Sequence, residues 1–464
     1  MGKAGNKVIW GVGALFIVCG VCGVGGYTGF GQPERQYRQE LAKSEAVGLP
    51  SDLETYQRQV DPDSNAAGLY LEAITAWSAL EKADHPVSQA LLSGMGPNGL
   101  SAEYDVNAAE RDLAKAELVI KKLDAAAAQP DLCFDTRYSD GMYALFPELA
   151  PLRNFVKLRC LRALVFANRG KFDEAYAELA KASTISRQLS QDNPTLIGLL
   201  VQIAGRAITL RGLEQVLCLQ GRNPEAVTHA DLVLKSLGDA PNFHRALRGE
   251  YASSLGTMQL LADPKHREDL LKAAGNGFGE ESSRTPTVEE RLVGWPSVRY
   301  QMMASLVKFY RGIYTELPEA TPSGTKLLKA AQAVDDRQAA AGAPTDFLTR
   351  SLMPVFAGAA GAVVKDVANV RLMELLALNL SRQRGVEIPV DFPNDPFSDK
   401  PFLGKVTADG FRVWSVGRNG IDDGGILKGN NDSDGDTVVG YPYVDKSVRR
   451  RAGIGAAAAA RPAL

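Results

Sequence analysis

The feature that most constrains this chain is an uncharged apolar run near the N-terminus, from Val8 to Gly31. In a helix, about 20 apolar residues are enough to cross the hydrocarbon core of a bilayer. Lys3 and Lys7 precede the run, and the positive-inside rule places such a basic flank in the cytoplasm. The sequence therefore predicts one transmembrane anchor at 8–31, with residues 1–7 in the cytoplasm and the rest of the chain outside it.

A cleaved signal peptide is the alternative interpretation of the same run. The apolar core of a signal peptide usually has about 7–15 residues and is followed by an Ala-x-Ala type of cleavage site. This run is longer and lacks a clear site of that kind, although its glycine-rich end offers small residues. We expect an uncleaved single-pass anchor in the inner membrane of the cell, so that membrane lipid is one partner of the chain.

Composition indicates a large helical body beyond the anchor. The 464 residues are 45% hydrophobic, 23% charged and only 7% aromatic, and alanine and leucine recur throughout. Such a mixture favours helix over sheet and supplies enough apolar surface for a core. The formal net charge is −2, without the basic excess of a nucleic-acid-binding protein, so we expect no nucleic-acid partner.

The cysteines do not suggest a disulfide framework. Cys19 and Cys22 lie inside the apolar run, where their C-x-x-C spacing is more typical of small-residue packing than of redox chemistry. The remaining three, Cys133, Cys160 and Cys218, allow at most one disulfide and leave one thiol over.

Helical periodicity predicts a mainly α extracytoplasmic domain over residues 32–384. Two apolar faces repeat with helical spacing, namely Tyr70, Ala73, Ile74 and Trp77, and then Leu113, Ala116, Ile120 and Leu123. A long helix is predicted from Ala357 to Arg382, with Gly385 in a position typical of a C-cap. Residues 275–287 are rich in glycine, serine and threonine, which predicts an exposed loop or hinge.

One segment of this domain has a more specific pattern. Around Gly170, the sequence ALVFANRGKFDEAYAELAKAS places small residues where two antiparallel helices touch and a glycine at the turn. It resembles the core of a tetratricopeptide repeat. A weaker echo follows at Gly221, Glu225 and Ala226, at a spacing unlike that of a regular array. We predict helical hairpins that are partly tetratricopeptide-like, with ordinary core packing as the competing explanation.

Motifs for catalysis are missing from the sequence. The four histidines, His85, His229, His244 and His266, have no second histidine three or four residues away, and neither H-E-x-x-H nor G-x-S-x-G occurs. We therefore name no catalytic residue and no organic cofactor. The leading hypothesis is a non-enzymatic binding or scaffolding protein of the cell envelope, and the alternative is an anchored enzyme of unidentified class that uses carboxylates in the helical domain.

The composition changes after Arg384, where residues 385–447 are rich in Gly, Pro, Asp and Asn. Three short apolar runs, PFLGKV, FRVWSVG and DTVVGYPYV, predict the strands of a small antiparallel β module. Ala408, Asp409 and Gly410 predict a hairpin turn between the first two strands. Residues 448–464, which end in an alanine-rich stretch, predict a flexible tail.

Short motifs in this module resemble the C-terminal part of the major pseudopilins of type II secretion. They are Asp395-Pro396-Phe397, Lys400-Pro401, Val413-Trp414-Ser415-Val416-Gly417, Asn419-Gly420 and Asp422-Asp423-Gly424-Gly425. The whole chain is also similar to a set of uncharacterised bacterial membrane-anchored proteins that carry an N-A-A-x-x-Y helix, here starting at Asn65. The apolar run lacks the prepilin signature, so the resemblance covers the C-terminal module and does not predict a pilin subunit.

The resemblance implies a calcium site in the acidic loop and a protein partner in the cell envelope. Calcium takes about six to eight oxygen ligands, which carboxylates on a glycine-rich loop can supply. The candidate ligands are Asn419, where the pseudopilins usually have Asp, together with Asp422, Asp423, Asp432, Asp434 and Asp436. Asn430, Asp432, Asp434 and Gly435 imitate half of an EF-hand loop, but an EF-hand is excluded because Tyr441 stands at the twelfth position of that loop and no flanking helices fit. The alternative is a solvated acidic loop without a metal.

Overall fold

The structure is a computed structural model of the chain. It describes residues 31–51, 60–82, 95–96, 99–100, 106–192, 195–268, 295–317, 323–339, 356–382, 393–407, 410–426 and 435–441. The anchor predicted at 8–31 lies outside the described residues except for its last residue, Gly31. The C-x-x-C pair at Cys19 and Cys22, the hinge at 275–287 and the tail at 448–464 also lie outside them.

The first part of the described chain is helical. Its elements are α1 (31–45), a 3₁₀ turn (Pro62–Ser64), α2 (Ala67–Lys82), α3 (Val106–Lys115), α4 (Glu117–Ala127), a second 3₁₀ segment (Tyr138–Tyr143), α5 (Leu149–Asn168) and α6 (Phe172–Asp192). Between α2 and α3, the two-residue strands β1 (Met95–Gly96) and β2 (Gly99–Leu100) pair antiparallel.

The second part adds further helices and then a sheet. Its elements are α7 (Leu196–Gln220), α8 (Ala226–Leu237), α9 (Phe243–Leu260), α10 (Pro296–Glu316), α11 (Gly324–Ala339), α12 (Phe356–Ser381), β3 (Leu403–Thr407), β4 (Gly410–Ser415) and β5 (Thr437–Tyr441). The strands form an antiparallel sheet in the order β3-β4-β5. A mainly helical chain with a small C-terminal antiparallel sheet is therefore confirmed.

The first apolar face behaves as its spacing predicts, and the second is interrupted. Tyr70, Ala73 and Trp77 are all buried on one side of α2. The second face is also buried, but α3 ends at Lys115 and α4 begins at Glu117. The backbone leaves the helical region at Ala116 (φ −88°, ψ 6°), so two short helices replace the single continuous one that the spacing suggested.

Helices α5 and α6 form an antiparallel hairpin at the centre of the body. Gly170 in the short connection has φ +74°, a left-handed conformation that residues with a Cβ adopt at a cost. Across the hairpin, the buried Arg159 donates from Nη1 to Glu178 Oε2 at 2.9 Å and from Nη2 to Asp124 Oδ1 at 2.8 Å. These two hydrogen bonds connect α5 to α6 and to α4.

Helix α7 lies in the core of the helical body. Within the described part of the chain, it alone is long and apolar enough to cross a membrane, but 56% of its apolar window is buried inside the protein. It packs against α5, α6 and α12. The position of α7 in the core therefore explains why this helix is long and apolar.

The described cysteines are free thiols, namely Cys133, Cys160 and Cys218. Burial raises the pKa of Cys160 to about 12 and also raises that of Cys218, so both thiols stay protonated.

The β module shares a continuous hydrophobic core with the helices. Phe411, Val413 and Val439 are buried in the same apolar cluster as α12, and β4 and β5 pack against that helix. On the other face of the sheet, Trp414 pairs with Val438. This arrangement brings the end of β4 and the start of β5 next to α7 and α12.

Candidate functional site at the C-terminal loop and cleft

Asp395 connects the first motif of the β module to the end of β4. Its side chain is almost completely buried, at 1% exposed. Oδ1 accepts from Ser415 Oγ at 2.9 Å and from Phe397 N at 3.0 Å, and Oδ2 accepts from Val416 N at 2.9 Å. Burial raises the pKa of Asp395, and these hydrogen bonds oppose the rise. The D-P-F and W-S-V-G motifs are therefore one structural unit.

The same turn is attached to the helical body through Asp399. This residue has φ +56°, and its Oδ2 accepts from the hydroxyls of Ser323, at 2.8 Å, and Thr325 at the start of α11. These hydrogen bonds lower the pKa of the Asp399 carboxyl. The ionised aspartate thus links the β module to the N-terminal turn of a helix, where negative charge is favourable.

The loop that follows β4 folds back over Trp414. The indole Nε1 donates to Asp422 Oδ1 at 3.0 Å, and Gly424 N donates to the same oxygen at 2.8 Å. Gly425 has φ +70°, and a Cβ at this position would lie 2.9 Å from the indole ring. Lys405 on β3 donates to Gly424 O at 3.0 Å. A glycine is therefore needed where the loop covers the ring.

Asp436 holds this loop from its far end. Its side chain is 3% exposed, and both oxygens accept from Asp423 N at 3.2 and 3.0 Å. Oδ2 also accepts from Gly425 N at 2.8 Å. Burial raises the pKa of Asp436, and the nearby carboxylates of Asp423 and Asp422 raise it further. The aspartate serves as an acceptor for backbone amides that closes the loop.

The structure brings together three of the six predicted calcium ligands, Asp422, Asp423 and Asp436. Asn419 is used within its own turn, where Oδ1 accepts from Ile421 N at 3.0 Å. Asp432 and Asp434 lie outside the described residues.

The described carboxylates alone do not form a metal site. Among the residues that the structure describes, no group of three or more His, Cys, Asp or Glu side chains could hold a metal ion. The oxygens of Asp422 and Asp436 bind N–H groups of the loop and of Trp414 instead. Calcium binding therefore stays a prediction, and it would require ligands from residues 427–434, which contain Asp432 and Asp434.

A cleft of about 210 Å³ lies beside Asp436, between α7, α12 and the start of β5. Its polar lining consists of Arg211, Glu214, Lys365, Asp366, Asn369, Asp436 and Thr437. Arg211 and Asn369 are half-buried, and neither side chain has a hydrogen bond or ion pair with a described residue. The cleft can therefore accept a polar group that binds both the guanidinium of Arg211 and the side-chain amide of Asn369.

The side of the cleft toward the core contains a buried ion pair. Arg206 on α7 and Asp366 on α12 are each 2% exposed. Arg206 also donates from Nη1 to Leu237 O at 2.8 Å and to Asp239 O at 3.1 Å. Burial raises the pKa of Asp366, and the guanidinium of Arg206 opposes that rise. This network fixes α12 relative to α7 and to the end of α8.

A separate buried acid lies in the helical body. Asp192, at the end of α6, accepts from Phe134 N at 2.5 Å and is 8% exposed. Burial raises its pKa to about 7, with Glu148 adding to the rise and Arg245 opposing it. A carboxyl that titrates near neutral pH is able to transfer protons, which is the chemistry that the enzymatic alternative requires.

Four residues at the cleft were not predicted from the sequence, namely Arg206, Arg211, Lys365 and Asp366. A usable signal was present, because α7 and α12 are apolar helices that each contain a few charged residues. Charged side chains inside such helices have to be paired or to line a cavity, since an isolated buried charge is very costly.

Comparison of the chain with protein-family models, with curated proteins and with solved structures gives no match. The geometry described above is therefore the basis for the functional proposal.

Proposed function

We propose that this chain is a membrane-anchored binding or scaffolding protein of the cell envelope, whose helical body presents the C-terminal β module to a protein partner. The observation that carries the proposal is the cleft between α7, α12 and β5. Arg211 and Asn369 line this cleft, and neither side chain has a hydrogen bond or ion pair with a described residue. A carboxylate or amide side chain of a partner would satisfy both groups.

The apolar run at 8–31 supports the proposed membrane anchor. The residues that follow it support a fixed attachment of the helical body to that anchor. The described part of α1 starts at Gly31, the last residue of the run, and it packs on α10. Glu40 Oε2 lies 2.6 Å from Arg311 Nη1, and the rings of Tyr37 and Tyr300 are 5.8 Å apart. We propose that α1 continues the membrane helix outside the bilayer, so that the body is held close to the membrane surface.

Two finer features of the fold belong to the same proposal. The antiparallel α5–α6 hairpin, with its glycine turn at Gly170, supports the proposal of a partly tetratricopeptide-like body. In the β module, the contact of Asp395 with Ser415 supports the resemblance to the pseudopilins, because it joins two of the motifs on which the resemblance rests. Both features suit a protein that binds other proteins.

An anchored enzyme is the second candidate, and Asp192 is the observation that favours it. Its pKa of about 7 would suit a general acid or base. However, Asp192 lines neither the C-terminal cleft nor the cavity at the starts of α7 and α9 described below. Binding in the cleft is therefore the better supported function.

Site-specific photo-crosslinking in intact membranes tests the proposal. A photoreactive phenylalanine in place of Asn369 reports on the cleft, and the same residue in place of the exposed Leu232 on α8 serves as the control. We expect a defined protein adduct from position 369, which Arg211→Gln weakens, and no matching adduct from position 232. Identical adducts from both positions, or none from 369, would contradict the proposal.

A further inference from the structure

A second cavity, of about 410 Å³, lies in the helical body between the end of α6 and the starts of α7 and α9. It shares no lining residue with the C-terminal cleft. Leu199, Leu237 and Ala246 form apolar parts of its wall, and the rest of the lining is largely polar. Its size suits a small molecule rather than a protein segment.

Two helix N-termini meet at this cavity. Thr195 is the N-cap of α7, where its side chain accepts from Gly198 N at 3.2 Å, and Asn242 is the N-cap of α9, where Oδ1 accepts from Arg245 N at 2.9 Å. Both caps line the cavity, and neither helix has an acidic residue in its first turn. Because a helix N-terminus carries about half a positive charge, the two ends together favour an anion.

Two guanidinium groups add full positive charge. Arg187 and Arg245 both line the cavity, and the side chain of Arg187 has no hydrogen bond or ion pair with a described residue. Arg245 donates to the carbonyl oxygen of Gln191. The one acidic residue in the lining is Asp239, which is exposed, so the lining is positive overall.

The position of Arg187 is constrained by Gly238. This glycine has φ +66°, and a Cβ there would lie only 3.0 Å from Arg187 Cδ. The stem of the arginine therefore lies directly against a backbone position that has no side chain. The guanidinium is held at the cavity by packing rather than by a carboxylate.

Gln202 is the observation that points to a ligand. It is 4% exposed and lines the cavity, yet its side-chain amide has no hydrogen bond with a described residue. Buried amides in folded proteins almost always have a hydrogen-bond partner. An oxygen of a bound anion would supply the missing acceptor.

We propose that this cavity binds a small anion through a carboxylate or phosphate group. Arg187, Arg245 and the amide of Gln202 are the donors, and the N-terminal ends of α7 and α9 provide the surrounding positive potential. One N–H at the start of α7 is already used, because Leu196 N donates to Glu250 Oε2 at 3.3 Å. The side-chain donors therefore contribute most of the direct contacts. This proposal stands independently of partner binding at the C-terminal cleft.

Isothermal titration of the purified full chain in detergent, with inorganic phosphate and separately with citrate, tests the site. We expect saturable binding of at least one probe and about a tenfold loss of affinity in Arg187→Gln. Arg153→Gln is the matched control, because Arg153 is exposed on α5 and does not line the cavity. Thermal melts of each variant establish that it is folded.

A second variant and a lipid probe complete the experiment. Gln202→Met keeps the volume and removes the amide, so we expect a severalfold loss of affinity with little change in melting temperature. Dihexanoyl phosphatidylglycerol, titrated below its critical micelle concentration, distinguishes a lipid headgroup from a free anion. Binding of that lipid alone, weakened by Arg187→Gln, would support the site and assign it to lipid. Absence of binding for all three probes, or binding that Arg187→Gln leaves unchanged, would overturn the proposal.

Discussion

Arg206 on α7 donates from Nε to both carboxylate oxygens of Asp366 on α12, at 3.0 and 2.9 Å. Both side chains are buried, so each charge depends on its partner much more than on water. Removing one partner leaves the other as an uncompensated buried charge, whereas replacing both with apolar residues does not.

The first prediction concerns this pair. Asp366→Ala should lower the free energy of unfolding by about 3–5 kcal/mol. The double variant Arg206→Met with Asp366→Leu should recover part of that loss, because it leaves no unpaired buried charge but removes the donor to Leu237 O and Asp239 O. Urea denaturation of the detergent-solubilised chain measures both. Asp231→Ala, which breaks the exposed i,i+4 pair with Lys235, is the control and should change stability by less than about 0.5 kcal/mol. A double variant as unstable as Asp366→Ala would contradict the argument.

The second prediction concerns Asp395. Asp395→Ala removes the acceptor of three hydrogen bonds and leaves Ser415 Oγ and Val416 N unsatisfied in a buried site, so we expect a loss of about 2–4 kcal/mol. Hydrogen exchange of β4 should accelerate more than that of α5. Asp399→Ala, at the exposed end of the same turn, should have a smaller effect on β4. Equal acceleration in β4 and α5 would show that Asp395 acts on the whole fold rather than on the module.

The third prediction concerns pH. The folded-state pKa of Asp192 is raised to about 7 from an ordinary value of 3.8, so the folded protein holds a proton that the unfolded chain releases. The contribution of Asp192 to stability is therefore largest at low pH and declines as pH rises from about 4 to about 7. Asp192→Asn keeps an oxygen for Phe134 N and cannot ionise. We expect it to be more stable than the wild type at pH 8, by about 4 kcal/mol, and nearly equally stable at pH 4.

Denaturation curves of both proteins across this pH range provide the measurement. Asp231→Asn, at an exposed position whose ion-pair partner is Lys235, is the matched control and should leave the pH profile unchanged. Glu148 and Arg245, which both affect the pKa of Asp192, remain in place in all of these proteins. A profile that Asp192→Asn does not alter would mean that its pKa is close to the ordinary value.

The fourth prediction concerns calcium. If the acidic loop binds calcium, ions present at about 100 times the dissociation constant should stabilise the full chain by about 2.7 kcal/mol relative to chelator. Asp432→Asn with Asp434→Asn should abolish the shift. The described carboxylates do not form a metal site by themselves, so a calcium site in this loop would need ligands such as Asp432 and Asp434. Asp436 is left unchanged because its carboxylate holds the loop amides even without a metal. An identical melt in calcium and in chelator would identify the loop as solvated surface.

The fifth prediction concerns topology. Lys3 and Lys7 precede the apolar run, so the N-terminus should be cytoplasmic and the body extracytoplasmic. An alkaline phosphatase fusion at the C-terminus should be active, and a fusion to a reporter that works only in the cytoplasm should be silent. Reversed activities would refute the orientation. Release of the body into the soluble fraction would instead support the cleaved signal peptide.

Much of the architecture could be predicted from local patterns. The helix at Phe356–Ser381 lies within one residue of the prediction at each end, because apolar residues recur along its whole length and its boundaries depend on local sequence. The three strands overlap the three apolar runs for the same reason, although β3 extends one residue past its run to Thr407 and β4 starts one residue before its run at Gly410. The break at Ala116 was not predicted, since an alanine between two helical segments carries no breaking signal.

The candidate sites were harder to predict, because they depend on contacts between distant residues. Arg206 and Asp366 are separated by 160 positions, and nothing in either local sequence specifies the other. The two caps of the anion cavity, Thr195 and Asn242, are ordinary N-cap residues individually, and only the packing of α7 near α9 brings them together. The acidic loop was the opposite case: its composition suggested a metal, while its described carboxylates bind N–H groups.

The continuous core between α12 and the β module has a practical consequence for fragments of this protein. Phe411, Val413 and Val439 cover α12, a helix with buried residues along its whole length. A fragment that stops at residue 384 would expose that apolar surface to water, and the isolated module would lose its support. The sheet is therefore part of the hydrophobic core of the body. We expect C-terminally shortened forms to aggregate unless they end beyond Tyr441.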